Sequence, residues 1–166
     1  MKKVCSILAT VLMIVLLIWA AVLIVPKLIG MEEYAVLTAS MEPEIPVGSL
    51  VFDKKPDMGT LKVGDVVTYQ ISGTTLVTHR VTAINDADKT IITKGDANDV
   101  EDGAPVEYSN VLGVCAFHLP YLGYISLYSK TPLGISGLCG LIVIVILLNF
   151  LPDLFGKSKD DKKSSK

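Results

Sequence analysis

Two uncharged apolar runs stand near the ends of the chain, at Val4 to Val25 and at Leu133 to Leu151. In the first run, every residue is apolar or small except Ser6 and Thr10. A helix needs roughly 20 such residues to cross the hydrocarbon of a bilayer. We therefore predict two membrane helices, of which the second is shorter and contains three glycines.

The first run could instead be a cleaved signal peptide. The apolar stretch of a signal peptide normally has about 7 to 15 residues and is followed by small residues at a cleavage site. This run is longer and ends at Pro26 and Lys27. Its length and its end favour an uncleaved anchor.

Between the two runs, short segments rich in Val, Ile and Thr alternate with turn residues, and no helical periodicity is evident there. Their lengths and composition are typical of strands. The predicted strands are Tyr34 to Thr38, Ser49 to Phe52, Asp65 to Ile71, Thr74 to Ile84, Thr90 to Lys94 and Asn110 to Phe117. We therefore predict a mainly β protein, with a small antiparallel β-domain between an N-terminal and a C-terminal transmembrane helix.

The positions of the charges predict the orientation of these parts. Lysines precede the first run and are frequent in the tail after the second run, 153–166. By contrast, the segment 30–132 has seven basic and fourteen acidic residues. Because positive flanks stay on the cytoplasmic side, both ends should be cytoplasmic and the β-domain should face the other side. The predicted divisions are 1–29 for the first flank and helix, 30–132 for the β-domain, 133–152 for the second helix and 153–166 for the tail.

Composition excludes several classes of protein. The 166 residues are 51% hydrophobic with a net charge of −2, which argues against a disordered chain and against a nucleic-acid-binding protein. Cys5 and Cys139 lie in the apolar runs, which leaves Cys115 alone in the central domain. We expect no disulfide within that domain and neither a metal nor a cofactor, since no cysteine pair has the spacing of metal ligands.

The central domain contains the parts of a hydrolytic site. Such a site needs a nucleophile, a base that takes its proton and a group that orients the base. Ser40 follows an apolar strand, His79 lies in the longest predicted strand, and Asp96 and Asp102 lie in one acidic loop. Each has an ordinary structural alternative, because the serine could cap a turn, the histidine could be a packing residue and the loop could be a solvated turn or a weak cation site.

Four short segments carry a family resemblance. They are Ser40-Met41-Glu42-Pro43, Gly64-Asp65-Val66-Val67, His79-Arg80-Val81 and Lys94-Gly95-Asp96-Ala97-Asn98. In order and approximate spacing they resemble the motifs of type I signal peptidases. The closer resemblance is to the endoplasmic-reticulum-type branch, where a His stands in place of the Lys base of the bacterial branch.

The resemblance implies a membrane-bound serine endopeptidase that removes signal peptides from exported preproteins. It implies Ser40 as nucleophile and His79 as general base, with Asp102 as the best match to the acidic position and Asp96 as functionally important. Which of the two aspartates contacts His79 stays open. The implied partners are preproteins, the lipid bilayer and the secretion translocon, and the implied location is the cell membrane or, in a eukaryote, the endoplasmic reticulum membrane.

Further expectations concern the neighbours of these residues. The Ser40 amide and the Thr38 hydroxyl are candidate oxyanion donors, and Arg80 should be a structural or surface charge, because it alternates with His79 along the strand. The family's usual Gly-Asp-Asn-Asn is Gly-Asp-Ala-Asn here. Apolar residues near Ser40 could line substrate pockets, dip into the membrane or be core, namely Met41, Ile45, Val47 and Leu50.

Two rival interpretations remain. One is a non-enzymatic anchored β-domain for envelope assembly or binding, in which Ser40 and His79 would be replaceable. The other is a sortase-like cysteine transpeptidase that uses Cys115 with a histidine and Arg80. The apolar surroundings of Cys115 weaken the second, because they do not lower the pKa of a thiol.

Overall fold

The structure is a computed structural model and describes residues 2–157. It contains three helices and seven strands. The helices are α1 (Lys2–Leu28), α2 (Leu122–Ser129) and α3 (Pro132–Lys157). The strands are β1 (Glu32–Ala35), β2 (Leu50–Lys54), β3 (Val66–Ser72), β4 (Thr75–Asn85), β5 (Thr90–Lys94), β6 (Val106–Glu107) and β7 (Val111–Leu119).

Both predicted apolar runs form helices. Within α1 and α3, the segments Ser6–Leu28 and Pro132–Phe150 are long and apolar enough to cross a membrane. The predicted apolar helices are thereby confirmed as candidate membrane spans by their length and composition. The end of the Lys-rich tail, 158–166, lies outside the described residues.

The strands form one antiparallel sheet in the order β1-β2-β7-β3-β4-β5-β6. The prediction of a mainly β fold is confirmed, and each of the six predicted strands overlaps an observed strand. The sequence failed to reveal β6, which has only two residues and directly follows Pro105.

The expectation that the central segment lacks a helix was wrong for α2. This helix follows β7, and the Gly123 N–H donates to the Gly48 carbonyl at 2.8 Å. Gly123 is buried against the turn before β2, where a Cβ at this position would lie 2.5 Å from the Ser49 carbonyl oxygen. The docking contact is thus made largely by backbone atoms, which leave little trace in a pattern of side-chain polarity.

Apolar side chains pack on both faces of the sheet. One cluster includes Val67, Val81 and Ile91, and the other includes Met41 and Val51. Of the residues expected to be pocket, membrane or core residues, those that are fully buried are Met41, Ile45 and Leu50, while Val47 is half-buried. The core interpretation is therefore correct for the three buried residues.

Asp53 in β2 is a buried carboxylate whose oxygens accept no hydrogen bonds from the described residues. Its residue is 1% exposed, and neither carboxylate oxygen has a hydrogen-bond partner among the described residues. Burial raises the pKa of Asp53 to about 6. The nearby Thr68 hydroxyl lowers the pKa of Asp53, but by less than burial raises it. In the structure, the hydrogen bond of the Thr68 hydroxyl is to the Thr78 hydroxyl, at 3.0 Å.

We expect Asp53→Asn to stabilise the fold at neutral pH. A raised pKa favours the protonated form, so the stability that Asp53 contributes is full below pH 3.8 and is lost as the pH rises through about 6. At pH 8, ionisation of the buried Asp53 therefore lowers the free energy of unfolding by about 3 kcal/mol. Thermal unfolding in detergent should show a higher unfolding temperature for Asp53→Asn than for the wild type at pH 8, and no difference between them at pH 4. Exposed Asp99→Asn is the control, and an equal gain at both pH values would contradict the assignment.

Candidate active site

Ser40 lies in a 3₁₀ turn, Ala39–Met41, between β1 and β2. The next residue, Met41, is fully buried and anchors the turn in the core. The Ser40 carbonyl accepts a hydrogen bond from the Ala97 N–H at 2.9 Å, and the Ser40 hydroxyl lies 3.2 Å from the Thr38 hydroxyl. Side-chain burial on one side and a backbone contact on the other therefore fix the serine.

His79 lies in the middle of β4, directly opposite Val67 of β3. The residue is 8% exposed, and its Nε2 atom lies 3.1 Å from the Ser40 Oγ. Its Nδ1 atom lies 2.7 Å from the Asp102 Oδ2. The structure thus brings together three residues that the sequence spreads over 63 positions, from Ser40 to Asp102.

Asp102 is held by several donors at a single oxygen. Besides His79, the hydroxyls of Thr93 and Tyr69 donate to Oδ2 at 2.6 and 3.0 Å. The Asp102 N–H donates to the Thr93 carbonyl at 2.8 Å, which fixes the backbone as well. These contacts define where the carboxylate can lie relative to the imidazole.

The electrostatics of Asp102 follow from the same contacts. Burial alone raises the pKa of Asp102, but the hydrogen bonds from His79, Thr93 and Tyr69 together outweigh it and hold the pKa below its usual value. Burial raises the pKa of Tyr69 to about 12, so its hydroxyl keeps its proton and donates. The carboxylate is therefore ionised at neutral pH beside the imidazole.

Asp96 lies elsewhere, on the other side of β4. Its two carboxylate oxygens accept from the Arg80 Nε and Nη2 atoms at 2.8 and 2.6 Å, and Arg80 Nη1 donates to the Gly64 carbonyl at 2.8 Å. Such a bidentate pair fixes both side chains. Of the two aspartates, Asp102 contacts His79 and Asp96 contacts Arg80.

Gly95 and Ala97 bring the acidic loop against Ser40. A Cβ on Gly95 would lie 2.5 Å from the Ser40 carbonyl oxygen and 3.0 Å from the His79 Nε2. Ala97 makes its contact with Ser40 through the backbone N–H. Alanine in place of the family's usual asparagine therefore leaves this contact available.

Sequence reasoning missed Tyr69 and Thr93. Both lie in predicted strands, where an inward hydroxyl looks like any other β-forming residue. The rival cysteine mechanism loses support, because burial raises the pKa of Cys115 to about 12 and keeps the thiol neutral. Among residues 2–157, no group of three His, Cys, Asp or Glu side chains is placed to hold a metal ion.

A serine, an imidazole and a carboxylate joined in one hydrogen-bonded line are the constellation of a serine hydrolase. The chain is 34% identical over 121 residues to the signal peptidase complex catalytic subunit SEC11 of Candida dubliniensis, covering 64% of this chain and 72% of that protein. It is 39% identical over 99 residues to signal peptidase I W of Bacillus subtilis, covering 57% and 52%. For SEC11C of Homo sapiens the identity is 27% over 147 residues, covering 78% and 75%.

No protein-family model matches the chain. The chain spans about half the length of the Bacillus relative, with 52% of that protein covered. It belongs to the type I signal peptidases, in the endoplasmic-reticulum-type branch. The resemblance found in the sequence is confirmed.

We expect Gly95→Ala to disrupt the site from the backbone. The added methyl group would press on the Ser40 carbonyl and on the imidazole, and overpacking of this kind costs about 1 to 3 kcal/mol. Thermal unfolding in detergent measures the loss. Gly103→Ala is the matched control, because a Cβ there meets nothing within 4 Å. Equal stability of the two variants would show that the close approach at Gly95 is wrong.

Proposed function

We propose that this protein is a membrane-anchored serine endopeptidase that cleaves N-terminal signal peptides from exported preproteins. The observation that carries the proposal is the line from Ser40 Oγ to His79 Nε2 at 3.1 Å and from His79 Nδ1 to Asp102 Oδ2 at 2.7 Å. The names of its relatives, signal peptidase I W and the SEC11 catalytic subunits, support the substrate class.

In the proposed reaction, the Ser40 Oγ attacks the carbonyl carbon of the scissile bond while His79 Nε2 takes its proton. Asp102 stabilises the imidazolium that forms. When the carbon–nitrogen bond breaks, His79 gives the proton to the departing amine, which leaves an ester on Ser40. A water molecule then loses a proton to His79 and attacks the ester, and the same proton returns to the Ser40 oxygen.

The negative charge that develops on the substrate oxygen needs donors placed in advance. We assign this role to the Ser40 N–H and the Thr38 hydroxyl. The distance of 3.2 Å between the Thr38 and Ser40 hydroxyls supports the assignment, because it keeps the threonine beside the attacking atom.

Asp96 and Arg80 contribute through position in this proposal. Their bidentate pair holds the start of the loop whose next residue, Ala97, donates to the Ser40 carbonyl. Loss of the pair would displace the serine without removing a group that touches the substrate. We therefore regard Asp96 as a positioning residue and Asp102 as the partner of the base.

The proposed topology places both ends in the cytoplasm and the β-domain, 30–132, on the outer or lumenal side. The excess of acidic over basic residues in that segment supports this orientation. Ser40 follows the end of α1 at Leu28 by twelve positions, so the chain keeps it within roughly 40 Å of that end. A signal peptide whose apolar segment lies in the bilayer presents its cleavage site at the outer or lumenal face of the membrane. This is also the face at which the preprotein leaves the translocon.

We expect Ser40→Ala and His79→Ala to abolish cleavage and Asp102→Asn to reduce it by at least about 10³-fold, because the amide cannot orient and stabilise the imidazolium. The assay uses the purified full chain in detergent and a peptide with an Ala-x-Ala cleavage site, with product masses determined. Exposed Asp99→Asn controls for charge loss in the same loop. Cleavage by Ser40→Ala at the wild-type rate would rule out the proposed nucleophile.

The topology predicts a protection pattern. A protease added outside intact cells or spheroplasts should digest the β-domain and spare an epitope placed at the C-terminal end. The same epitope should become accessible once the membrane is dissolved, which controls for its susceptibility. Digestion of the epitope in intact cells would contradict the two-span arrangement.

A further inference from the structure

Asn98 ends the fourth of the family motifs, and the proposed reaction gives its side chain no role. Gly95, Asp96 and Ala97 before it each make a contact that shapes the site. The Asn98 N–H donates to the Gly95 carbonyl at 2.9 Å, which closes a tight turn. This bond fixes the backbone of Asn98 and leaves its carboxamide unused.

The carboxamide lies at the end of the hydrogen-bonded line where protons are exchanged. A Cβ built on Gly95 would lie 2.8 Å from the Asn98 Nδ2 and 3.0 Å from the His79 Nε2. The two nitrogens are therefore separated by no more than the sum of these distances. The same point lies 2.5 Å from the Ser40 carbonyl oxygen. Asn98 thus lies beside the nitrogen that, in the proposed reaction, gives a proton to the departing amine.

The Asn98 carboxamide is available to a ligand. Among residues 2–157, no group forms a hydrogen bond with it, and the residue is only half-buried. A carboxamide carries two N–H donors and a carbonyl acceptor, and polar groups in folded proteins are normally paired once water is excluded. A peptide that covers the site would displace water from this amide and would have to replace the lost hydrogen bonds.

The main chain of a bound peptide can supply that replacement. A hydrogen bond spans about 2.9 Å, and an extended chain advances about 3.5 Å per residue. When the scissile nitrogen lies at His79 Nε2, the flanking peptide units come within reach of the Asn98 Nδ2. A main-chain carbonyl is present in any peptide, whatever its side chains.

We propose that the Asn98 Nδ2 donates a hydrogen bond to a main-chain carbonyl of the substrate next to the scissile bond. This bond would hold the peptide in place between Ser40 and His79. The inference rests on the proposed function, since it requires a peptide at these two residues. It makes Asn98 a substrate-binding residue that exchanges no proton.

Two substitutions test the donor. Asn98→Ala removes the amide, whereas Asn98→Asp keeps its shape but, once ionised, only accepts hydrogen bonds. We expect kcat/KM for peptide cleavage to fall about tenfold in both variants, measured on the full chain in detergent. The matched control is Asn110→Ala, at an exposed asparagine before β7, which should cleave as wild type does. Thermal unfolding of Asn98→Ala should match wild type, because no hydrogen bond of the side chain is lost within the described residues.

Modified peptides identify the acceptor. In each peptide, one main-chain amide beside the scissile bond is replaced by an ester, whose carbonyl is a weaker acceptor, and product masses show that the cut stays at the same bond. At one position, on either side of the cut, the ester should slow the wild type about threefold and should slow Asn98→Ala no further. Such non-additive losses indicate a direct contact, which a purely structural role of Asn98 would not produce.

The outcomes separate this inference from the proposed function. If the wild type cleaves and the ester peptides lose equally in wild type and Asn98→Ala at all positions, the inference is overturned while the proposed function stands. Wild-type activity of either Asn98 variant, or a lower unfolding temperature of Asn98→Ala that accounts for its lost activity, would overturn it as well. If the wild type cleaves no peptide, the proposed function fails and the inference fails with it.

Discussion

The alternation of side chains along β4 is the constraint on which the rest of the site depends. His79 and Arg80 are neighbours in sequence, and a strand directs such neighbours to opposite faces of the sheet. Each is held by an aspartate, Asp102 for the histidine and Asp96 for the arginine. Both aspartates come from the segment after β5, so this one segment must reach both faces of β4.

The pairing of β5 with β4 makes that reach possible. Lys94, the last residue of β5, lies opposite Arg80, so Asp96 follows only two residues later beside the guanidinium. The chain then passes the Ser40 carbonyl at Ala97 and returns to β5 where the Asp102 N–H bonds to Thr93. Register, more than the loop's own composition, decides which aspartate meets which partner.

Two carboxylates in this domain, Asp53 fully buried and Asp102 partly buried, show how hydrogen bonds set the sign of a pKa shift. Burial acts in the same direction on Asp53 and Asp102. Asp102 receives hydrogen bonds from a histidine and two hydroxyls, and its pKa falls, whereas Asp53 has no hydrogen-bond partner among the described residues and its pKa rises to about 6. The aspartate whose ionised form the fold stabilises is the one that orients the base, so the polar network around it has a chemical consequence beyond stability.

The limits of sequence-based prediction follow from the same geometry. Period-two patterns and turn residues located six strands, and uncharged length located both apolar helices, because these signals are local. The choice between Asp96 and Asp102 depended on the β4–β5 register, and the donors Tyr69 and Thr93 depended on tertiary contacts, so local patterns could not decide them. Three adjacent residues show why: Gly95 must lack a side chain, Asp96 must have its carboxylate, and Ala97 contributes only its N–H. A sequence motif gives the residue at each of these positions without the reason for it. The contact that each residue makes determines which substitutions its position can accept.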